Sequence, residues 1–482
     1  MSRHTNNEWR LFHCSQLINH KYNLVVIILR SGYSAKAIFA IRMKLLFTAT
    51  FSFLSILLFA QDTIHPADKH LSFHWQATVI PQYHFKFYSP YQGTNSLLPD
   101  EPIKPSFTST FFINYKPFKN TYIVFDPEAA GGYGFSQTLG LAGFSNGEIY
   151  RVGDPKPQPY IARLYIEQRL PLTQRKENVE DDQNQIRETT YADYFSIALG
   201  KFSLSDFFDA SEICNDPRVQ FLNWALMGSG SWDYPANTRG YTMGMVAQYI
   251  YHDFHLRGAL TTVPMEANGP ELQFIWNKAM GMIIEFEKKK LIYTNDRFYI
   301  DGSLGIYQNI AHMGNYAEAI KNGLASFSAP DVISTRAYGR TKTGFYISVD
   351  NHLNKVHHYI NYSWNDGKNE TFAFTEIDRS FATGFQFDGS IWKRKKDFAG
   401  IAYVNNGLSN DHRTYLANGG YGFIIGDGRL NYGHEQIIEA YYSWNVWKKL
   451  FVSPDYQFAM HPAYNKDRGP VHIVAIRFHI EI

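Results

Sequence analysis

The sequence predicts an all-β transmembrane barrel, on three observations. Short alternating segments recur down the chain, their polar faces are unlike those of a soluble sheet, and an export signal precedes a chain without spanning helices. Successive side chains of a strand point to opposite faces, so alternation marks a sheet with two different environments. "LSFHWQATV" sets Leu71, Phe73, Trp75, Ala77 and Val79 against His74, Gln76 and Thr78. "YIARLYIEQR" sets Ala162, Leu164 and Ile166 against Arg163, Tyr165, Glu167 and Arg169. "FYIDGSLGIY" sets Phe298, Ile300, Leu304 and Ile306 against Tyr299, Asp301, Ser303 and Tyr307, and "VHHYINYSW" and "FATGFQFDG" follow suit. The chain ends "HIVAIRFHIEI", with Val474, Ile476, Phe478, Ile480 and Ile482 opposite Arg477, His479 and Glu481. Turn clusters such as "NDGKN", "NNGLSNDH" and "GDGR" separate the segments.

A soluble sandwich would carry Lys and Glu on its polar face. Here that face mixes Arg, Glu, Asp, Tyr, Asn and His, as a water-filled lumen requires, and aromatic residues crowd the strand ends. On this reading Arg477, His479 and Glu481 face water inside the pore, and pairing with the first strand removes the edge that the last one would expose.

Composition narrows the alternatives. The 482 residues are 45% hydrophobic and 16% aromatic, which excludes disorder. The net charge of +2 hides an asymmetry: residues 1–44 hold seven Lys/Arg and one acid, leaving 39 basic against 43 acidic residues. That balance argues against nucleic acid as a partner. Cys14 and Cys214 alone exclude a disulfide framework.

"MKLLFTATFSFLSILLFAQD", residues 43–62, has one Lys, an apolar run of signal-peptide length and a cleavable Ala60–Gln61 bond, with Leu58 at the position usually held by a small residue. The expected organisation is an upstream extension over 1–42 with translation starting at Met43, a signal peptide over 43–60, and a barrel over 61–482. No run of 18 apolar residues follows Ala60. Roughly 420 mature residues accommodate 16 to 18 strands with long outer loops. The expected location is the outer membrane of a Gram-negative cell.

"SDFFDASEICNDPRVQFLNWALMGSGSWDYP" breaks the alternation. Asp216 and Pro217 form a cap and first-turn pair, and Val219, Phe221, Leu222, Ala225 and Leu226 have helical spacing, which predicts a short helix in a long loop that folds inward. "GSGSWDYP" predicts a flexible turn with an exposed Trp232.

Four blocks carry a resemblance: "LAGFSNGEIYRVGDPKPQPYIARLYIEQ", "NDPRVQFLNWALMGSGSWDYPANTRGYTMGM", "LANGGYGFIIGDGRLNYGHEQIIEAYYSWNVW" and "SPDYQFAMHPAYNKDRGPVHIV". In this order, and interrupted by a polar insert over 174–193, they resemble the carbohydrate-selective porins of the OprB family. The resemblance implies about 16 antiparallel strands with both ends periplasmic, and passive diffusion of sugars such as glucose. It also implies an acid, arginine and aromatic constriction, carried here onto Glu148, Arg151, Arg163, Trp232, Asp233 and Arg239. The chemistry suits a pyranose: charged groups bond adjacent hydroxyls, aromatic rings cover the sugar's apolar faces, and weak serial contacts permit transit. Partners are then small sugars and outer-membrane lipid, with no cofactor. A homotrimer stays open, because lipid-facing and subunit-facing strands share one alternation.

Two other functions are open: a general diffusion pore without sugar preference, and a barrel-rim hydrolase. No enzyme is expected. "GFSNG", residues 143–147, fits a nucleophile elbow in spacing but lacks its flanking strand and helix. No metal is expected either: His352, His357 and His358 read as wall residues, the last two on opposite faces. "GDGRLNYG" lacks the residues of a phosphate loop or dinucleotide fingerprint. Asn431 to Glu435 and Asp467 to Pro470 are expected to form turns and set strand register.

Overall fold

A computed structural model describes residues 69–149, 156–373 and 375–482. The upstream extension and the signal segment therefore lie outside the described residues. Sixteen antiparallel strands close into one barrel: β1 (Leu71–His84), β2 (Lys104–Phe118), β3 (Thr121–Gly132), β4 (Gln158–Pro171), β5 (Tyr194–Phe202), β6 (Thr242–Tyr251), β7 (Phe254–Thr261), β8 (Met280–Asn295), β9 (Phe298–Met313), β10 (Ala337–Leu353), β11 (Val356–Asn365), β12 (Arg379–Asp388), β13 (Phe398–Gly407), β14 (Glu435–Trp447), β15 (Leu450–Met460) and β16 (Val471–Glu481). The last strand pairs with the first, Ala77 opposite Ile480 and Val79 opposite Phe478, so no edge is left.

The alternation sorts the wall as expected. Ile476 and Phe478 are exposed on the outside, whereas Arg477 and His479 are buried on the inside. One end has short turns and the other long loops, the asymmetry of outer-membrane barrels with periplasmic turns. Outward aromatics ring the short-turn end: Phe73, Phe118, Tyr251, Phe254, Phe298, Trp444 and Trp447 are all exposed there, where a membrane interface holds amphipathic rings.

Three sequence expectations need correction. Ala162 does not share a face with Leu164. Asp126 pairs with Arg163 and Pro127 with Ile161, so Ala162 is skipped as a bulge and is fully buried. Pro127 has no N–H to donate to the ladder, and a bulge at that point absorbs the missing bond. The lumen face of β4 consequently carries both Tyr160 and Arg163.

The short helix is the second correction. Residues 216–219 make a turn, and Trp224–Leu226 make one 3-10 turn. The backbone groups that a helix would pair internally are bonded to the wall instead. Arg477 donates to the carbonyls of Pro217 and Gln220 at 2.7 and 2.6 Å and to that of Val219 at 3.2 Å. The Glu439 carboxylate accepts the N–H groups of Leu222 and Asn223. The apolar spacing serves the wall as well: Phe221, Ala225 and Leu226 join Tyr359, Ala382, Ala402, Val404, Ile437 and Tyr441 in the main buried cluster. Gly400 makes this contact possible, since a Cβ there would stand 2.3 Å from the Tyr441 ring and 3.0 Å from Phe221.

The third correction follows. Arg477 does point into the barrel, but it is 0% exposed, covered by the strap formed by residues 203–241. The loop between β3 and β4 also enters the lumen and pairs with this strap, Gly147 N–H to Leu222 O at 2.7 Å and Trp224 N–H to Phe144 O at 2.9 Å. From the short-turn end, the insert between β4 and β5 folds as a small hairpin, Lys176–Val179 against Glu188–Tyr191. Among the described residues, two α-helices, α1 (Tyr316–Ser326) and α2 (Asn410–Ala417), sit in the long loops.

Candidate functional site

Where strap, β3–β4 loop and wall meet, they enclose a cavity of about 220 Å³. Its polar lining comes from three sources. The strap supplies Asp206, Arg218, Arg239 and Tyr241, the β3–β4 loop supplies Glu148, and the wall supplies Glu128 and Arg163. Trp224 and Tyr234 add aromatic faces.

Arg163 projects inward because of the bulge beside it. Its Nε and Nη2 donate to the two oxygens of Asp206 at 2.8 and 2.6 Å, and Nη1 donates to Asp126 at 3.2 Å. A forked pair of this kind fixes the guanidinium plane. Arg218 stands among three carboxylates: Glu148 at 3.2 Å, Glu128 at 3.4 Å and Asp216 at 3.6 Å. The Tyr160 hydroxyl donates to Glu128. Arg239 lies over the Tyr160 ring, 4.0 Å from its centroid, a cation–π contact. Glu148 also accepts a 2.7 Å bond from Thr108 Oγ1. Burial lifts its carboxyl to about 7, against the opposing pull of Arg218. Loss of solvation outweighs the attached cation here, so this acid titrates near neutrality.

Glu148, Arg163 and Arg239, expected from the sequence, are therefore brought together. Arg151 lies outside the described residues. Trp232 is not exposed, at 4%, and packs against Tyr234 and Tyr346 with ring centroids 5.2 and 5.4 Å away. It borders a second, smaller cavity that shares Ser205, Asn215, Trp224, Met227 and Tyr234 with the first. Asp233 lines neither. It is 0% exposed, accepts the N–H groups of Phe372 and Ala373 at 2.8 Å each, and lies 3.4 Å from Lys342 Nζ.

Asp233 belongs to a recurrent device. Glu439 accepts two strap N–H groups, Glu435 accepts those of Ala142, Gly143 and Ala463, and Glu376 accepts those of Phe423, Ile424 and Ile425. Irregular backbone inside a barrel has no ladder, so buried carboxylates supply its missing partners. Ser145 of "GFSNG" is held in the same spirit, its hydroxyl donating to Gln82 at 2.7 Å. Asn431 and Asp467 join at 2.8 Å, and Arg468 clasps Asp427 at 2.7 Å, so the two C-terminal blocks tie outer loops together.

Arg218, Asp206, Glu128 and Tyr241 were missed by sequence reasoning. Glu128 was within reach of it, because the alternation of "VFDPEAA" puts Asp126 and Glu128 on one face. Arg218 was hidden by the helical reading of its neighbours.

A family model described as carbohydrate-selective porin, OprB family, matches residues 119–482. Among solved structures, OprB of Pseudomonas putida at high pH superposes with a TM-score of 0.63 at 14% identity, covering 86% of this chain and 94% of that one. The same protein at low pH gives 0.44 at 10% identity, covering 86% and 93%. The outer-membrane channel DcaP of Acinetobacter baumannii gives 0.45 at 10%, covering 86% and 97%. No curated protein sequence matches the chain. The P. putida likeness supports the sixteen-strand fold alone, and the family match adds kinship over most of the sequence: the chain is an outer-membrane porin and belongs to the carbohydrate-selective porin, OprB family.

Proposed function

We propose that this porin passes sugars, glucose-sized ones among them, by passive diffusion through the cavity bounded by Glu148, Arg163, Arg218, Arg239 and Tyr241. The supporting observation is the interleaving of carboxylates and guanidiniums beside aromatic rings around one narrow space. Each hydroxyl of a pyranose is donor and acceptor at once, so a surface of alternating acceptors and donors exchanges partners with it stepwise. The rings of Tyr241, Trp224 and Tyr234 offer the sugar's apolar face a place to slide. Every charged group there already has a protein partner, which keeps each sugar contact weak enough for release. Trp232 and Asp233 act behind this surface, holding the strap that presents it.

Single-channel recording in planar bilayers tests the reading. Glucose or maltose should block the ion current transiently, and Arg218→Gln should weaken the block about tenfold, the worth of roughly one hydrogen bond to a charged group. Unchanged current noise at all sugar concentrations would instead make this a general diffusion pore. Hydrolysis of a lipid ester that disappears in Ser145→Ala, with no sugar flux, would favour the rim hydrolase.

A further inference from the structure

The strap touches the wall a second time, near the short-turn end, through a group of side chains that the constriction does not use. β10 and β11 are joined by a two-residue turn, Asn354 and Lys355, so that His352 and His357 are directly cross-strand. Both lie on the lumen face, their rings 5.0 Å apart. His358 lies on the opposite face against Phe385, as period two requires. Glu212 reaches down from the strap. One of its oxygens, Oε2, is 3.8 Å from Nδ1 of His352 and 3.8 Å from Nδ1 of His357. Donor atoms of the three residues all lie within 4.8 Å of one another. Two ligands bound to zinc at about 2.05 Å and a tetrahedral angle are about 3.3 Å apart, so small rotations would close the set.

The surroundings favour a cation over a hydrogen-bonded cluster. His352 is 5% exposed, and its Nε2 is buried without a hydrogen-bond partner. The nearest acid to that nitrogen is Asp301, at 3.5 Å, and the Tyr299 ring stacks on the imidazole face at 3.9 Å. Asp301 stands behind Nε2 without bonding it, and a small turn of the ring would seat that N–H on the carboxylate and aim the Nδ1 lone pair at Glu212 and His357, the usual support of a metal-bound histidine. Lys289, 3.3 Å from Asp301, offsets that acid's charge and leaves Glu212 as the negative group of the set. His357 and Glu212 remain partly open to the lumen, which gives an ion a way in.

We propose that Glu212, His352 and His357 form a binding site for a divalent transition-metal cation of the zinc class, which clips the strap to the wall at the periplasmic side of the pore. Two imidazoles and one carboxylate suit zinc, nickel or copper and disfavour magnesium. An ion there would join a strap residue to two strands, so the lumen would become less mobile below the constriction.

Zinc itself is the probe. The detergent-solubilised full chain, stripped with chelator, should bind Zn²⁺ by equilibrium dialysis, and Mg²⁺ in excess should not displace it. His357→Ala and Glu212→Gln should each weaken the tightest site by about tenfold or more, while the outward-facing His358→Ala should leave it unchanged. Heat-modified gel mobility confirms that each variant is a folded barrel. In bilayers, micromolar Zn²⁺ should quieten the open-channel noise of the parent protein, chelator should restore it, and neither variant should respond. Affinities for His357→Ala and Glu212→Gln within threefold of the parent value would overturn the proposal, and so would equal weakening by His358→Ala.

Discussion

The lumen is entered from both ends, by the strap and by the periplasmic insert, and the two are held in opposite ways. The insert is a hairpin. Lys176 faces Tyr191, Glu177 faces Thr190 and Val179 faces Glu188, so its backbone satisfies itself. Apart from one backbone bond, Lys69 N–H to Arg187 O at 3.2 Å, its moorings are made by side chains: Lys69 to Asp181 at 2.6 Å, Gln183 to Gln76 at 3.0 Å, Asn184 to Asp126 at 2.9 Å, and Glu188 to Lys116 and Tyr122. The strap has no ladder of its own, and its N–H and C=O groups are bonded to Arg477, Glu439 and the β3–β4 loop. Irregular backbone is tolerated in a barrel only where the wall carries its partners. The insert could therefore be gained by local sequence alone, whereas the strap and the wall had to be specified together.

The largest effect should come from cutting the strap loose. Arg477→Leu leaves three carbonyls unbonded and Asp455 without its attractive neighbour, so stability should fall by about 3–5 kcal/mol, the usual cost of breaking a buried charged network. Urea titration followed by gel mobility measures it, and a loss of under about 1 kcal/mol would mean that the strap holds itself.

Replacing the insert with a short turn should do the reverse. Conductance should rise because one obstruction leaves the mouth, while stability should shift by only about 1 kcal/mol, because removing the insert opens Lys116, Tyr122 and Gln76 to water, which replaces the partners they lose. A collapse in folded yield would erase the distinction between the two segments.

The smallest effect concerns pH at the constriction. Glu148, lifted to about 7 by burial, carries its charge above that value and loses it below. As pH falls through about 7, Arg218 loses its partner's charge and the preference of the pore for cations should decline. Reversal potentials should show this in the parent and a flat response in Glu148→Gln. A pH profile that is the same in both would assign the titration to another group, such as Asp209 of the strap, which burial also lifts to about 7.

The wall was legible because its signal is local. Period-two alternation needs only neighbouring residues, and it carried the barrel class and the sidedness of Arg163, Arg477 and the terminal strand, while chain length bounded the strands at roughly 16 to 18 and the family resemblance implied about 16. What failed depended on distant partners. The phase of β4 turns on Pro127 in the adjacent strand, which no pattern in "YIARLYIEQR" records. The helix over 216–226 was a sound reading of apolar spacing, but that spacing matched the wall's Tyr359 and Tyr441 rather than a helix face. The site was half legible for the same reason. Glu148, Arg163 and Arg239 converge, yet Arg218 between them belonged to a segment read as helical. The pairing of His352 with His357 needed the hairpin register, which a two-residue turn fixes and a list of histidines does not.

The hold of Arg477 on the strap bears on the order of events during assembly. The bond to Pro217 joins residues 260 positions apart, and its guanidinium is carried by β16, the strand that closes the barrel against β1. A growing or partly inserted chain cannot make it. The strap cannot have all its carbonyls bonded until the terminal strand is in place, so the narrow part of the channel is completed only after the wall has closed around it.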